Sequence, residues 1–167
     1  MAEMMLGAFA YLLAPVMAIL VAQSATIATS IYLHRALAHR SLAVHPIADV
    51  LFRTILWITT GQGRQQWVAV HRKHHAFTDR EGDPHSPRLL GFWRVQFGNV
   101  YYYIREARRS GTVERFAPDL PEDRLDRLFF SRGWLGLAIG IALLSVTLGF
   151  GPGLLAAALH TVLYVFV

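Results

Sequence analysis

Two short clusters of histidine are the part of this sequence most able to do chemistry. The first cluster is His34 and His39, in LHRALAHRS, and the second is His71, His74 and His75, in VHRKHHAFTD. Together they hold five of the eight histidines in the chain. Imidazole is the commonest neutral side-chain ligand of metals, and it suits iron, copper, zinc and nickel. The clusters therefore predict a metal-dependent enzyme.

The spacing within each cluster limits which histidines can share an ion. Positions i, i+3 and i+4 lie on one face of an α-helix, so His71, His74 and His75 should project together and serve two neighbouring metals. His74 and His75 are about 100° apart around the helix, which disfavours binding to one ion. His34 and His39 are about 140° apart on a straight α-helix. These two can share a metal only where their helix kinks or ends at the membrane surface.

The remaining histidines fit no ligand pattern. We interpret His45 as a surface residue, His85 as a loop or substrate-facing residue, and His160 as a hydrogen-bonded interior residue of an apolar helix. The arginines within the clusters have two interpretations. They are either anchors at the membrane interface or partners in ion pairs that support the metal ligands or contact an anionic substrate group; these are Arg35, Arg40 and Arg72.

Composition restricts the kind of protein and the kind of metal site. Hydrophobic residues make up 54% of the 167-residue chain and charged residues only 16%, against roughly 25% charged residues in soluble domains. The chain contains no cysteine, which excludes disulfides, thiolate zinc sites and cysteine-ligated iron–sulfur clusters. A metal must therefore be held by histidine, carboxylate or amide groups. The net charge of +5 is concentrated in one region, which bears on membrane topology and not on nucleic-acid binding.

Long apolar segments must position the two clusters. Residues 4–33 carry no charge and are long enough to cross a bilayer, which takes about 20 apolar residues. Residues 46–60 form a second membrane helix or a re-entrant or interfacial one, with Asp49 and Arg53 pairing or facing the interior. Residues 133–167 predict a helical hairpin that is broken at 149–153. The expected fold is all-α and integral to the membrane, with about four transmembrane helices in two hairpins.

A basic region lies between these apolar segments. Residues 61–132 contain 13 of the 16 Lys and Arg residues and nine Asp or Glu. Within this region, the aromatic and basic stretch 91–109 is typical of a helix that lies in the membrane interface. The positive-inside rule places the whole region, and with it both histidine clusters, in the cytoplasm. The turn at 149–153 should lie on the other side of the membrane.

HRALAHRS, HRKHHAFTD and Asp83-Pro84-His85 closely resemble the first two histidine boxes of membrane fatty acyl desaturases, in particular the stearoyl-CoA type. The order of apolar helices and boxes is also similar, and the resemblance covers nearly all of the chain as a single domain, 1–167. It implies a diiron centre that uses O2 and two electrons to remove two hydrogens from an acyl chain, with delta-9 regiochemistry. The implied iron ligands are His34, His39, His71, His74 and His75.

The resemblance also implies partners and a location. The substrate would be a fatty acyl-CoA or another acyl lipid, and the electrons would come from a donor such as ferredoxin or cytochrome b5. The protein would lie among membrane lipids, in a bacterial inner membrane, and would bind no nucleic acid.

The third histidine box of the family does not occur in this sequence. We therefore expect the natural protein to continue past Val167, and the 167-residue chain to be inactive alone. Two alternatives stay open: a related lipid hydroxylase with the same boxes, and a truncated, catalytically silent membrane protein.

Overall fold

The computed structural model describes residues 2–166, with side chains described from residue 7 to residue 166. All regular structure in this range is helical, as the sequence predicts. The helices are α1 (Ala2–Ala28), continued by a first π-segment (Thr29–Ala38), α2 (Pro46–Thr60), α3 (Arg64–Phe77), α4 (Pro87–Leu90), α5 (Phe92–Ala107), α6 (Thr112–Phe116), a second π-segment (Asp126–Phe130), α7 (Gly133–Leu148) and α8 (Phe150–Phe166). Val167, which the sequence assigns to a helix still in progress, lies outside the described range.

The longest apolar helix is α1 together with the first π-segment. Over Gly7–Ala38 it is the one helix in residues 2–166 that is long and apolar enough to cross a membrane. One face carries buried alanines, from Ala14 to Ala28, against which α8 packs. Small residues of this kind let two helices approach closely in lipid. Large apolar side chains on its other faces, such as Leu12 and Leu20, are exposed.

The predicted helical hairpin is present as α7 and α8, and its break is shorter than expected. Only Gly149, at φ +91°, separates the two helices, whereas the sequence placed the break over 149–153. Helix α8 begins at Phe150, so Pro152 lies in its first turn, where the missing proline N–H has no helical partner to lose. The two helices have 16 and 17 residues, which is shorter than a typical span of about 20.

Helix α2 packs against α7 through glycine. A Cβ on Gly140 would lie 2.0 Å from the Ile58 carbonyl oxygen, so only glycine permits this approach. The predicted pairing of Asp49 with Arg53 is confirmed, with Nη1 donating to Oδ2 at 3.2 Å. With 15 residues, α2 is shorter than a typical span, so one clear membrane helix stands where the sequence predicts about four.

Two further contacts surround the second histidine cluster. Lys73 of α3 forms a buried ion pair with Glu106 of α5 at 2.5 Å, and the Thr112 hydroxyl donates to the same carboxylate. This pair attaches the aromatic and basic helix α5 to α3. The outer face of α5 exposes Trp93 and Phe97, as expected for a helix with an apolar stripe.

Candidate metal centre

The first π-segment brings His34 and His39 together. In a π-helix each N–H donates to the carbonyl five residues earlier, and here the His39 N–H donates to the His34 oxygen at 3.0 Å. Residues five apart therefore lie one above the other, and the two Nε2 atoms are 3.1 Å apart. The sequence required a kink or a helix end for this approach. The helix does end here, with His39 as its C-cap residue, and the wider π turn brings the two rings together.

Helix α3 supplies two histidines from the second cluster to the same place. His71 and His75 are one helical turn apart, and their Nε2 atoms lie 3.0 Å from each other. The inner face of α3, with Val68 and Ala69, is buried together with Ala117. Burial of that face sets the rotation of α3 and directs both imidazoles toward the first π-segment.

The four imidazoles form one compact group, called here the four-histidine site: His34, His39, His71 and His75. One ring nitrogen from each lies within 4.8 Å of all the others. Histidine nitrogens bind a metal such as zinc at about 2.0–2.1 Å, so ligands of one ion are at most about 4.2 Å apart. The site thus fits a single ion once its widest nitrogen–nitrogen separation, up to 4.8 Å, shortens to about 4.2 Å or less. Its donor set, four imidazoles, suits iron as well as zinc, copper or nickel.

Electrostatics favour the neutral form of the imidazoles in this site. Burial, together with repulsion from the neighbouring histidines, lowers the pKa of His71 to about 3. Burial and the nearby His39 and His74 also lower the pKa of His75. Metals bind the neutral ring, so both ligands have a lone pair available at neutral pH. The His71 ring also stacks on Trp67, with ring centres 4.6 Å apart, which restricts its orientation.

His74 does not join this group of four, in line with the expectation from the sequence that His74 and His75 do not bind one ion. Its Nδ1 is 2.9 Å from an Asp83 carboxylate oxygen, and its ring stacks on His85 with centres 4.7 Å apart and planes 17° apart. The lone pair of an imidazole nitrogen lies in the plane of its ring. The nearly parallel rings of His74 and His85 therefore cannot both direct a lone pair at one ion. With Nδ1–H donated to Asp83, Nε2 is the ring nitrogen of His74 that keeps a lone pair for a ligand.

Asp83 is the residue that sequence reasoning did not assign to the site. Its side chain is fully buried (0% exposed). It accepts hydrogen bonds from the backbone N–H groups of Asp79 and His85 as well as from His74. Burial raises the pKa of Asp83, but these hydrogen bonds outweigh it and hold the pKa below its usual range. The signal available in the sequence was the Asp83-Pro84-His85 turn. It follows the second cluster closely enough along the chain to fold back onto His74.

Comparison with protein families identifies the family of this chain. The family model described as "Fatty acid desaturase" matches residues 8–167. This chain belongs to the fatty acid desaturase family. The resemblance seen in the two histidine boxes is thereby confirmed.

Curated members of the family are similar over part of this chain. A hex-5-enoyl-[acyl-carrier protein] acetylenase from Moorena producens is 35% identical in an alignment of 109 positions that covers 53% of this chain and 34% of that protein. Delta-9 acyl-lipid desaturase 2 from Arabidopsis thaliana is 38% identical, covering 48% of this chain and 27% of that protein. An sn-1 stearoyl-lipid 9-desaturase from Synechocystis is 25% identical, covering 80% of this chain and 40% of that protein. The matched part spans less than half of each relative, and no solved structure matches the chain significantly.

The desaturase-family chain also contains an apolar cavity. It measures about 380 Å³ and lies among α1, α2, α7 and α8, lined mainly by aliphatic residues such as Val21, Leu144 and Leu154. His160 lies in its wall, only 5% exposed, and its Nε2 is 2.8 Å from the Thr59 carbonyl oxygen. His160 is thus the hydrogen-bonded interior residue that the sequence predicts.

Proposed function

We propose that this protein catalyses the O2-dependent desaturation of a fatty acyl chain at a histidine-ligated diiron centre. The observation that carries the proposal is the four-histidine site, in which two separate sequence motifs converge within 4.8 Å. The first π-segment aligns His34 with His39, and the rotation of α3 aligns His71 with His75. Unrelated surface histidines that met by chance would not show both alignments.

Within this proposal the histidines have distinct roles. His34, His39, His71 and His75 would hold one iron ion, and Nε2 of His74 would be available to a second. The iron ions supply the oxidation of a saturated C–H bond, which offers no polar group for a side chain to act on.

The protein's own residues prepare these ligands. Asp83 accepts the Nδ1 proton of His74, which fixes the tautomer and makes Nε2 the better metal ligand. Burial keeps His71 neutral, and its stacking on Trp67 holds the ring in place. The ligands therefore need little rearrangement when a metal binds.

The substrate follows from the cavity and from the relatives. The apolar walls of the cavity between the helices suit a hydrocarbon chain. Two relatives are named as 9-desaturases of acyl lipids and one as an enzyme acting on an acyl-carrier protein substrate. We propose delta-9 desaturation of an acyl chain carried by CoA or by a lipid.

The location belongs to the same proposal. α1, α7 and α8 cross or enter a bacterial inner membrane, α2 lies against them as the fourth membrane helix, and the basic region with the histidines faces the cytoplasm. A cytoplasmic electron donor such as ferredoxin or cytochrome b5 could then reach the iron site directly.

Metal binding by the chain tests the site itself. Purified protein in detergent is titrated with Co²⁺, a spectroscopic substitute for Fe²⁺, while visible absorption is recorded. His71→Ala should abolish the absorption band of bound Co²⁺. His45→Asn is the matched control, because exposed His45 caps α2 by accepting from the Ile47 N–H and asparagine caps helices well. Equal loss in both variants would refute the assignment of the site.

Product analysis tests the reaction. The full-length product of the gene is expressed in a bacterium, and the cellular fatty acids are analysed by mass spectrometry. A monounsaturated product with the double bond at carbon 9 supports the proposal, and its head group distinguishes acyl-CoA from acyl-lipid substrates. A hydroxylated product would assign the alternative lipid hydroxylase activity instead.

A further inference from the structure

Arg72, between two residues of the second histidine cluster, uses every hydrogen-bond donor that it has. A guanidinium group carries five N–H donors in a rigid, planar arrangement. Nε donates to the Ala38 oxygen at 3.1 Å, and Nη2 donates to the Leu37 oxygen at 2.7 Å. Nη1 donates to the Phe116 oxygen, and both Nη atoms donate to the Asp119 carboxylate at 2.5 and 3.1 Å. A side chain that merely anchored α3 at a membrane surface would not be saturated in this way.

Two of these bonds cap the C-terminal end of the first π-segment. A helix leaves its last carbonyl groups without partners within the helix, and the last two residues of the segment are Leu37 and Ala38. Arg72 satisfies both carbonyls from a different helix. His39 is the next residue after Ala38, so the guanidinium holds the backbone beside one ligand of the four-histidine site. Arg72 itself follows His71, another ligand of that site.

A carboxylate beyond α6 holds the guanidinium in position. Asp119 receives two bonds from Arg72 and also contacts Arg40 Nη2 at 2.5 Å. The two arginines together hold the pKa of Asp119 well below its usual range. The carboxylate thus remains charged, and it connects the residue after His39 to the residue after His71.

We propose that Arg72 is a positioning residue for the metal site. It caps the first π-segment from α3 and so maintains the five-residue register that brings His39 beside His34 and within reach of His75. This inference rests on the proposed metal-binding function of the four-histidine site. The two other arginines of the clusters differ from it: among the described residues Arg40 forms an ion pair with Asp119 alone, and Arg35 is exposed.

Arg72→Lys is the discriminating substitution. Lysine keeps the positive charge but has one compact ammonium group in place of the planar set of donors. It cannot reach two carbonyls and a carboxylate at once. Loss of a group that orients a metal ligand typically weakens metal binding by about 10–100-fold, so we expect the Co²⁺ dissociation constant to rise by about that factor. The absorption band should also change shape, because His39 no longer completes the ligand set. Arg124→Lys, at an exposed arginine, is the control and should leave both unchanged.

Hydrogen exchange of the metal-free protein provides a readout that does not depend on metal binding. The His39 N–H donates to the His34 oxygen, and the Ser41 N–H donates to the Arg35 oxygen. Both amides should exchange faster in Arg72→Lys, while amides in the middle of α7 keep their rates. Asp119→Asn, which retains Arg72, serves as a second variant if Arg72→Lys does not fold. It should give a smaller change in the same two amides and in Co²⁺ affinity.

The two readouts separate the inference from the function on which it rests. Weaker Co²⁺ binding with faster exchange at His39 and Ser41 supports the inference. Unchanged affinity and exchange in Arg72→Lys would overturn it, even with a wild-type protein that binds Co²⁺. A wild-type protein that binds no Co²⁺ would overturn the proposed metal site and the positioning role with it, and faster exchange would then leave Arg72 as a helix cap alone.

Discussion

Replacing Asp83 by asparagine should destabilise the protein by an amount that its hydrogen bonds allow us to work out. The fully buried carboxylate accepts three hydrogen bonds. One oxygen accepts from His74 Nδ1 and the His85 N–H, and the other accepts from the Asp79 N–H at 2.9 Å. Asparagine retains one acceptor oxygen, and its NH2 group would face the Asp79 N–H as donor against donor.

The expected loss follows from the type of bond. A hydrogen bond to a charged group contributes about 1.5–3 kcal/mol, against about 1 kcal/mol for a neutral one. Asp83→Asn removes one such bond and makes two others neutral. We therefore expect the free energy of unfolding at pH 7 to fall by at least about 2.5 kcal/mol, the sum of the lower bounds of these three losses. Co²⁺ affinity at the four-histidine site should change little, because His74 lies outside that site.

Chemical denaturation of the metal-free protein in detergent, followed by tryptophan fluorescence, measures this loss. Glu81→Gln is the matched control, because Glu81 is exposed in the same turn. The pH dependence gives a second check. Since the folded-state pKa of Asp83 is lowered, its contribution is present above the unfolded pKa of about 3.9 and is lost as pH falls through the lower folded pKa. A difference between Asp83→Asn and Glu81→Gln of less than about 0.5 kcal/mol would refute the hydrogen-bond argument.

Three further predictions concern other parts of the molecule. The pKa of His71 is about 3 in the folded protein and about 6.5 when unfolded, so the unfolded chain binds more protons between these values. The metal-free protein should therefore lose stability as pH falls from 6.5 toward 3, and unfolding midpoints at pH 7 and pH 5 that coincide would contradict this. Gly140→Ala places a Cβ 2.0 Å from the Ile58 oxygen and should cost about 1–3 kcal/mol by forcing α2 and α7 apart, whereas an unchanged thermal midpoint would show that the helices separate freely. Cysteines introduced at Ser110 and Gly151 should react with a membrane-impermeant reagent from opposite sides of the membrane, and labelling from one side would overturn the proposed topology.

Features that depend only on residues close together in the chain could be predicted from the sequence. The one-turn spacing of His71 and His75 predicted that they share a helix face, and in α3 their Nε2 atoms lie 3.0 Å apart. The uncharged stretch 4–33 predicted a membrane-length helix, and the apolar C-terminal segment predicted a hairpin. These predictions succeed because helical periodicity and hydropathy are properties of a local stretch of chain.

The tertiary structure decided which histidines lie close enough together to share an ion. The hydrogen-bond register of a helix is a choice between close alternatives, and His34 and His39 converge only in the π register. Nothing in the sequence LHRALAHRS selects that register; in the folded protein, Arg72 satisfies the carbonyls that end it. His74 lies outside the four-histidine site, where Asp83 folds back and binds its Nδ1. Sequence therefore determined which residues are candidate metal ligands. Long-range hydrogen bonds, which no local pattern encodes, decided how those residues are grouped.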